Sequence, residues 1–370
     1  MGKELCSFPL SPKQLNILRQ GGFVQDTDVI ELSPSQLAEE LGIALKDSLA
    51  ILNIIKNNKV DKLPVEKSAY DLLKEEEEET SIVTFCAALD EMVGGGIPVG
   101  KVTEFCGGPG MGKTQFGIQL AVDAIIPELF GGVGGESIYI DCEGSFICER
   151  VVEIAKAASN HIRSVAESNS EEEGTREALQ EFTLQSILKN IHVYRCHDYI
   201  QLIALSHILP DVLKNNGKVK IIILDSIAFH FRHDFEDMAL RTRLLHGLVQ
   251  SFMKMAHDHG LAVVIMNQMT TKIADDEKHS KLIPALGTSW GHACTIRIVL
   301  QTMNGQRFAH LLKSPTMQES TTPFVITIDG IRDVIAPEAE EEPSRDQPES
   351  DFIGQFNNGQ QPIKRLRTEP

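Results

Sequence analysis

Two periodicities divide the chain. Near the N-terminus, apolar residues recur at helical spacing in short runs broken by glycine. Leu15 and Leu18 follow Ser11-Pro12, and Gly21-Gly22-Phe23 closes that run. Ser33-Pro34 opens another run through Leu41, and Thr27 or Asp28 can cap a shorter segment between the two. Leu41-Gly42-Ile43 then leads into Leu45, Leu49, Leu52 and Ile55. A serine hydroxyl accepts an orphan N–H at a helix start, proline is pre-set for the first turn, and glycine tolerates the turn that ends it. The pattern predicts four short helices, a helix-hairpin-helix-like bundle over 1–56. Such bundles contact DNA backbone or other proteins, or serve as structural caps, and the sequence leaves these open.

From about Ser81 the pattern becomes short apolar runs alternating with helical stretches. Candidate strands are 101–106, 137–141, 191–196, 219–226 and 261–268. Alternation of this kind predicts an α/β fold with a mostly parallel doubly wound sheet. Segments 295–302, 307–314 and 322–329 have short connections, which predicts an antiparallel C-terminal extension to a domain spanning 81–335. Residues 57–80 read as an acidic linker, with Asn57-Asn58-Lys59, Pro64 and consecutive glutamates from Glu75 to Glu79. Residues 336–370, rich in Pro, Glu, Asp, Gln and Asn, read as a disordered tail.

One segment carries sharp chemistry. Gly107-Gly108-Pro109-Gly110-Met111-Gly112-Lys113-Thr114 fits G-x-x-x-x-G-K-[ST], between a strand at Val102–Cys106 and a helix from Gln115 to Ala124. Glycines let successive backbone N–H groups turn inward on phosphate oxygens, and the helix N-terminus adds a field that favours anions. Lys113 can reach the β- and γ-phosphates, and the Thr114 hydroxyl can ligate Mg²⁺. Lys220 to Asp225 is an apolar strand ending in an acid, where Asp225 can hold a Mg²⁺-bound water. Ile138 to Gly144 is a further strand ending in carboxylates; Glu143 there is a general base or a structural acid, and spacing alone does not separate the two. Asn267-Gln268 follows a buried strand, as a γ-phosphate sensor or a satisfied strand end. His257 and His259 lack neighbouring acidic or cysteine ligands, which argues against a metal pair.

Composition narrows the partners. The net charge is −17, so no bulk electrostatic footprint for nucleic acid exists and any DNA contact must come from local basic loops. The seven cysteines are scattered without C-x-x-C spacing, as expected of a reduced intracellular protein without structural zinc. No apolar run reaches membrane-span length and no signal-peptide core opens the chain, so neither a membrane role nor secretion is expected. Lys364, Arg365 and Arg367 form a short basic motif of the nuclear-import type.

In this order the motifs resemble the RecA-like recombinase family. The resemblance runs through Leu89-Asp90, Gly94-Gly95-Gly96, Thr103-Glu104, the glycine-rich loop into Gln115, Tyr139 to Phe146, Leu224-Asp225-Ser226, Asn267-Gln268 and Gly291-His292-Ala293. It covers most of 81–315. Gly131-Gly132 and Ser289-Trp290-Gly291-His292 look more like a eukaryotic paralogue, of the C type, than the main strand-exchange enzyme. The N-terminal bundle is similar as well.

The resemblance implies a RecA-like P-loop ATPase core that takes ATP and Mg²⁺ and hydrolyses slowly in response to DNA. It implies Glu143 as water activator, Gln268 as the link from γ-phosphate to a DNA loop, and Arg150 as the arginine that stacks on adenine. It implies His292 as a γ-phosphate sensor facing a neighbouring subunit, and Lys313-Ser314-Pro315 as the segment that caps ATP across an interface. DNA-facing loops fall at about 229–242 and 269–288, with Arg232, Arg241 and Arg243, then Lys272, Lys278 and Lys281. Acidic neighbours such as Asp237 and Asp275 imply weak DNA binding by the isolated chain. One departure stands out: the family's Phe-x-x-Ala knob is matched by Glu66-Lys67-Ser68-Ala69, and Glu66 does not suit an apolar pocket. Val65 or Tyr70 offers a substitute in a shifted register. The expected partners are other recombinase paralogues, the main recombinase filament, and single-stranded or branched DNA, in homologous recombination and double-strand break repair in the nucleus. A nucleotide-gated scaffold and a RecA-fold helicase are the alternatives.

Overall fold

The computed structural model describes residues 4–8, 10–30, 32–57, 67–77, 79–168, 174–232, 235, 237–272 and 281–334. They fall into two compact units that divide between Glu79 and Thr80.

The first unit contains α1 (Pro12–Gln20), α2 (Thr27–Ile30), α3 (Pro34–Leu41), α4 (Leu45–Asn57) and α5 (Ala69–Glu77). Both Ser-Pro signals act as read: Ser11 with Gln14 and Ser33 with Gln36 close reciprocal capping boxes. Each such cap contributes about 1 kcal/mol. Gly42 ends α3 at φ 61°, a left-handed conformation that suits glycine. Leu18, Val29, Leu37, Ile51, Leu52 and Ile55 form the core of this unit.

Two expectations shift. Leu45 and Leu49 are exposed, and the buried face of α4 is set by Ile51, Leu52 and Ile55; the face turns one position because Ser48 is buried, its hydroxyl bonded to the Pro34 carbonyl at 2.8 Å. The expected linker also holds a helix, α5. Ser68 and Asp71 cap it, Lys67 pairs with Glu75 at 2.6 Å, and Lys74 lies over the Tyr70 ring. Local (i, i+3), (i, i+4) and capping contacts are enough to order a glutamate-rich turn.

The second unit opens with the small pair β1 (Ser81–Ile82) and β2 (Ile97–Pro98), with α6 (Ala87–Val93) between them. The chain then alternates through β3 (Val102–Gly107), α7 (Lys113–Asp123), β4 (Glu136–Asp141), α8 (Cys148–Ser168), α9 (Thr175–Glu181), α10 (Leu184–Lys189), β5 (Ile191–Arg195) and α11 (Tyr199–Asn215). It continues with β6 (Val219–Asp225), α12 (Ile227–Arg232), α13 (Met238–His259), β7 (Ala262–Lys272), β8 (Lys281–Pro284) and α14 (Thr288–Ala293). The last strands are β9 (Ile296–Met303), β10 (Gln306–Lys313), β11 (Ser320–Thr327) and β12 (Gly330–Arg332).

Among the described residues the large sheet has the order β12-β11-β10-β9-β3-β7-β6-β4-β5, with β8 hairpinned onto β7. From β9 to β5 neighbours are parallel, and from β9 to β12 they are antiparallel. The expected architecture therefore holds, with one refinement. β9 is not simply part of the extension: it pairs parallel to β3 on one side and antiparallel to β10 on the other. All of β3 is buried, as is nearly all of β4 and β6, so these strands read as continuous apolar runs. Two cores flank the sheet, one around Phe105, Phe116 and Tyr139, the other around Leu224, Phe252 and Trp290. Chemistry collects where parallel strands end at their carboxyl sides. Gly107 is in register with Gln268, and Asp141 with Asp225.

Candidate active site

The glycine-rich loop joins β3 to α7. Gly110 and Gly112 take φ values of 75° and 104°, which disfavour any Cβ. At Gly112 a Cβ would also lie 2.6 Å from the Ile326 side chain. Helix α7 begins at Lys113, two residues earlier than the sequence suggested, because the Lys-Thr pair itself forms the first turn. Lys113 Nζ donates to the carbonyls of Gly107 and Gly108, each at 2.9 Å. Burial pulls the Lys113 ammonium below the usual lysine value, opposed by Asp225 and Glu143.

Asp225 is buried and accepts from three hydroxyls on one oxygen: Thr114 Oγ1 at 2.7 Å, Tyr139 OH at 2.7 Å and Ser145 Oγ at 3.3 Å. Burial raises its carboxyl above the ordinary value, and Thr114 and Tyr139 oppose that shift. Thr114 and Asp225 thus form a compact pair of hard oxygen donors, the kind Mg²⁺ prefers. The next peptide, Asp225–Ser226, is cis.

Glu143 sits on a loop organised by a neighbour. The Asp141 carboxylate accepts from the backbone N–H groups of Glu143 at 3.3 Å, Gly144 at 2.8 Å and Ser145 at 3.1 Å. This fixes Glu143 beyond the strand end, where its Oε1 accepts from Gln268 Nε2 at 2.9 Å and from the Ser226 hydroxyl. Gln268 in turn accepts from the Arg232 guanidinium. A continuous path runs from Arg232 through Gln268 to Glu143.

Beneath it lies a second polar cluster. Glu104, fully buried on β3, accepts from Asn267 at 2.6 Å, Trp290 Nε1 at 2.6 Å and Arg297 Nε at 2.5 Å. Asn267 also donates to the Ala285 carbonyl at 3.1 Å. Burial works against the Arg297 charge, but Glu104 and the adjacent thiols outweigh it and raise its value. This cluster ties the strand before the phosphate loop to β7, β9 and α14.

A cleft of about 600 Å³ connects these groups, lined by Pro109 to Thr114 without Met111, by Gln115, and by Glu143, Asp225 and Gln268. Arg307 and Ile326 complete the wall. The shape, the inward-facing glycine backbone, the cation and the oxygen pair fit a nucleoside triphosphate with Mg²⁺.

The expected residues are not all together. Gly107, Gly108 and Met111 belong to the loop, although Gly108 and Met111 border a separate, mostly apolar hollow beside β9. Arg150 does not line the cleft. Its guanidinium bonds Gln115 at 2.7 Å, Glu153 at 2.7 Å, and the Thr327 and Ile328 carbonyls, each at 2.6 Å. His292 is exposed at the end of α14, and Pro315 is exposed after β10; neither lines this chain's own cleft. Lys313 donates to the carbonyls of Gly291, His292 and Cys294, so it caps α14.

The DNA-loop expectation also changes. Most of 229–242 is helical, in α12 and the start of α13, and 269–272 pairs with 281–284 as a hairpin. Arg232 and Arg243 are exposed, whereas Arg241 is half-buried with its Nε on the Phe231 carbonyl at 2.6 Å. Asp237 caps α13, its carboxylate held below the usual range by the Leu240 and Ala239 N–H groups. Lys272 and Lys281 are cross-strand partners in backbone register. Glu66, Lys278, Lys364, Arg365 and Arg367 lie outside the described residues.

Sequence reasoning missed Tyr139, Ser145, Arg307 and the Glu104 cluster. Glu104 carried a signal: it is the one charged residue in its strand, β3.

Comparison with known proteins converges on one relationship. The Rad51 family model matches residues 75–170 and 174–334. The chain is 48% identical over 342 residues to the DNA repair protein RAD51 homolog 3 of Cricetulus griseus, covering 90% of this chain and 93% of that one. It is 46% identical over 283 residues to the protein of the same name from Dictyostelium discoideum, covering 76% and 71%. It is 30% identical over 338 residues to the DNA repair and recombination protein RadA of Aeropyrum pernix, covering 90% and 97%.

Proposed function

The chain belongs to the Rad51 family, and on that premise we propose that it is an ATP-dependent DNA-repair factor of homologous recombination. It acts in double-strand break repair within a complex of recombinase paralogues, supporting assembly of the main recombinase on single-stranded DNA and the processing of branched junctions. The observation that carries this reading is the unbroken path from Arg232 through Gln268 to Glu143 at the mouth of the phosphate loop. A nucleotide site that served only as a structural plug would have no use for such a path to an exposed arginine.

Each residue has a part. Loop N–H groups and the α7 N-terminus hold the phosphates, and Lys113 exchanges the Gly107 and Gly108 carbonyls for phosphate oxygens. Thr114, and Asp225 through a bound water, would hold Mg²⁺, which would supply neutralisation of charge on the phosphate oxygens. Glu143 takes the proton of the attacking water, and Gln268 aligns it. Arg150, freed from one carbonyl, covers the base. His292 and Pro315, which are exposed and do not line this chain's cleft, act on the nucleotide of an adjoining subunit. Arg232, Arg241, Arg243, Lys272, Lys278 and Lys281 meet DNA phosphates.

The adjoining subunit is a different paralogue. Glu66 replaces the apolar knob, while Tyr70, Leu72 and Leu73 stay exposed on α5 and offer an alternative apolar face. Import to the nucleus uses Lys364, Arg365 and Arg367. The test is the DNA-stimulated ATPase rate of the native complex, with its mass measured in ATP. Stimulation that disappears in Lys113→Ala and a mass that includes other chains support the reading; a long homofilament of the purified chain on DNA overturns the hetero-assembly.

A further inference from the structure

Arg307 occupies a place that nothing in the motif pattern assigns. It lies in the middle of the antiparallel extension, opposite Thr302 on β9 and Phe324 on β11. Yet its guanidinium turns towards the phosphate loop and forms part of the cleft wall with Lys113, Glu143 and Gln268. Its one hydrogen bond among the described residues is long, from Nη2 to the Gly110 carbonyl at 3.4 Å. Its Nε is buried with no acceptor. Nε is thus sealed within the protein, while the rest of the guanidinium lines an anion cleft with a single long bond, which leaves donors for an oxygen from outside the chain. The half-buried setting strengthens that preference, since a charge-assisted bond gains in a low dielectric.

We propose that Arg307 is a cis-acting ligand of the terminal phosphate of the bound nucleoside triphosphate. It would be a second side-chain cation beside Lys113, supplied by the antiparallel half of the sheet. Loop N–H groups and the α7 N-terminus would enclose the inner phosphates. The outer oxygens of the terminal phosphate are left for side chains, and Arg307 approaches from the outer bend of the loop at Gly110. Arg307 therefore distinguishes triphosphate from diphosphate, and its engagement draws the extension onto the loop only when the third phosphate is present.

The inference rests on the nucleotide reading above. Its test is calorimetric titration of the full chain with Mg-ATPγS and with Mg-ADP, for the wild type, Arg307→Gln and Arg307→Lys. The expected result is a loss of about ten-fold in triphosphate affinity for Arg307→Gln, a loss under about two-fold for diphosphate, and an unchanged unfolding temperature without nucleotide. Arg307→Lys, which keeps the charge but not the planar fork, should fall between. Equal losses for both nucleotides, or no loss, would overturn the inference and make Arg307 a prop for the loop. A wild-type chain that binds neither nucleotide would instead overturn the nucleotide reading, and this inference with it. If Arg307→Gln folds poorly, the triphosphate-to-diphosphate ratio of Arg307→Lys decides the question in the same way.

Discussion

Gln268 donates its side-chain amide to Glu143 at 2.9 Å, joining β7 to the loop after β4 across β6, the strand between them. The amide is placed to orient the carboxylate in one direction and to receive Arg232 from the other. Replacing Glu143 with Gln removes the proton acceptor but keeps the size and the bond. Hydrolysis should fall by about 10²- to 10⁴-fold while triphosphate affinity stays within about two-fold. Single-turnover hydrolysis and equilibrium binding on the same preparation check this.

Arg232 gives a sharper test of coupling. It is exposed, so its loss should cost little stability. Arg232→Ala should leave basal hydrolysis within about three-fold and abolish most of the increase caused by single-stranded DNA, because Gln268 loses the partner that tells it the state of that segment. The ratio of stimulated to basal rate is the readout. A full retention of stimulation would show that the path does not carry the signal.

The buried cluster at Glu104 makes a prediction about stability. Glu104→Ala would leave Asn267, Trp290 and Arg297 without their shared acceptor, the first two of them buried. Breaking such a buried ion pair by removing one partner costs about 3–5 kcal/mol. Trp290 is the chain's single tryptophan, so its fluorescence during denaturant unfolding reports on this cluster directly. The transition should move to markedly lower denaturant, and the native emission should shift because the indole N–H has lost its acceptor.

The pH dependence follows from the two shifted groups in the cleft. Burial raises the Asp225 carboxyl, so the folded chain holds a proton there more tightly than the unfolded chain does. Nucleotide-free stability from this group therefore falls as pH rises through the interval between the ordinary carboxylate value and the raised one. Magnesium-dependent nucleotide binding runs the other way. It needs the ionised carboxylate, so affinity drops on acidification sooner than for an unperturbed aspartate. Lys113 is shifted down by burial, so the alkaline loss of affinity begins below the usual lysine range. Asp225→Asn should abolish the acid limb and weaken magnesium-dependent affinity about 10- to 100-fold. Titration of affinity against pH, with and without magnesium, checks both limbs.

Much of this was legible in the residues. The alternation of apolar runs with helical stretches fixed the sheet class, and the strand–loop–helix context of Gly107 to Thr114 located the cleft. Asp225 and Glu143 stood out as acids at the ends of apolar runs, although spacing alone left Glu143 open between a general base and a structural acid. What escaped was long-range. Arg307 follows the loop by nearly two hundred positions, on a strand whose pattern speaks only of pairing, and only the sheet order brings it to Gly110. The α5 helix escaped for the opposite reason: its stabilising contacts are local, but a run of glutamates hides them behind a composition that suggests solvent. The role of Lys313 as a helix cap was likewise invisible, because it depends on three carbonyls that converge only once α14 has formed.

β9 is the seam where the sheet changes direction of pairing. On one side of it lie the parallel strands β3, β7, β6, β4 and β5, whose ends and loops carry Lys113, Glu143, Asp225 and Gln268; the strands carrying Arg307 and Ile326 lie on the other. The cleft is therefore walled by two halves made by different rules and joined along one strand. Parallel strands buried on both faces resist sliding, whereas an antiparallel ribbon at the margin of a sheet twists with less resistance. The outer wall of the cleft thus depends on antiparallel register across β9, and the inner wall on the parallel register of β3, β7, β6 and β4.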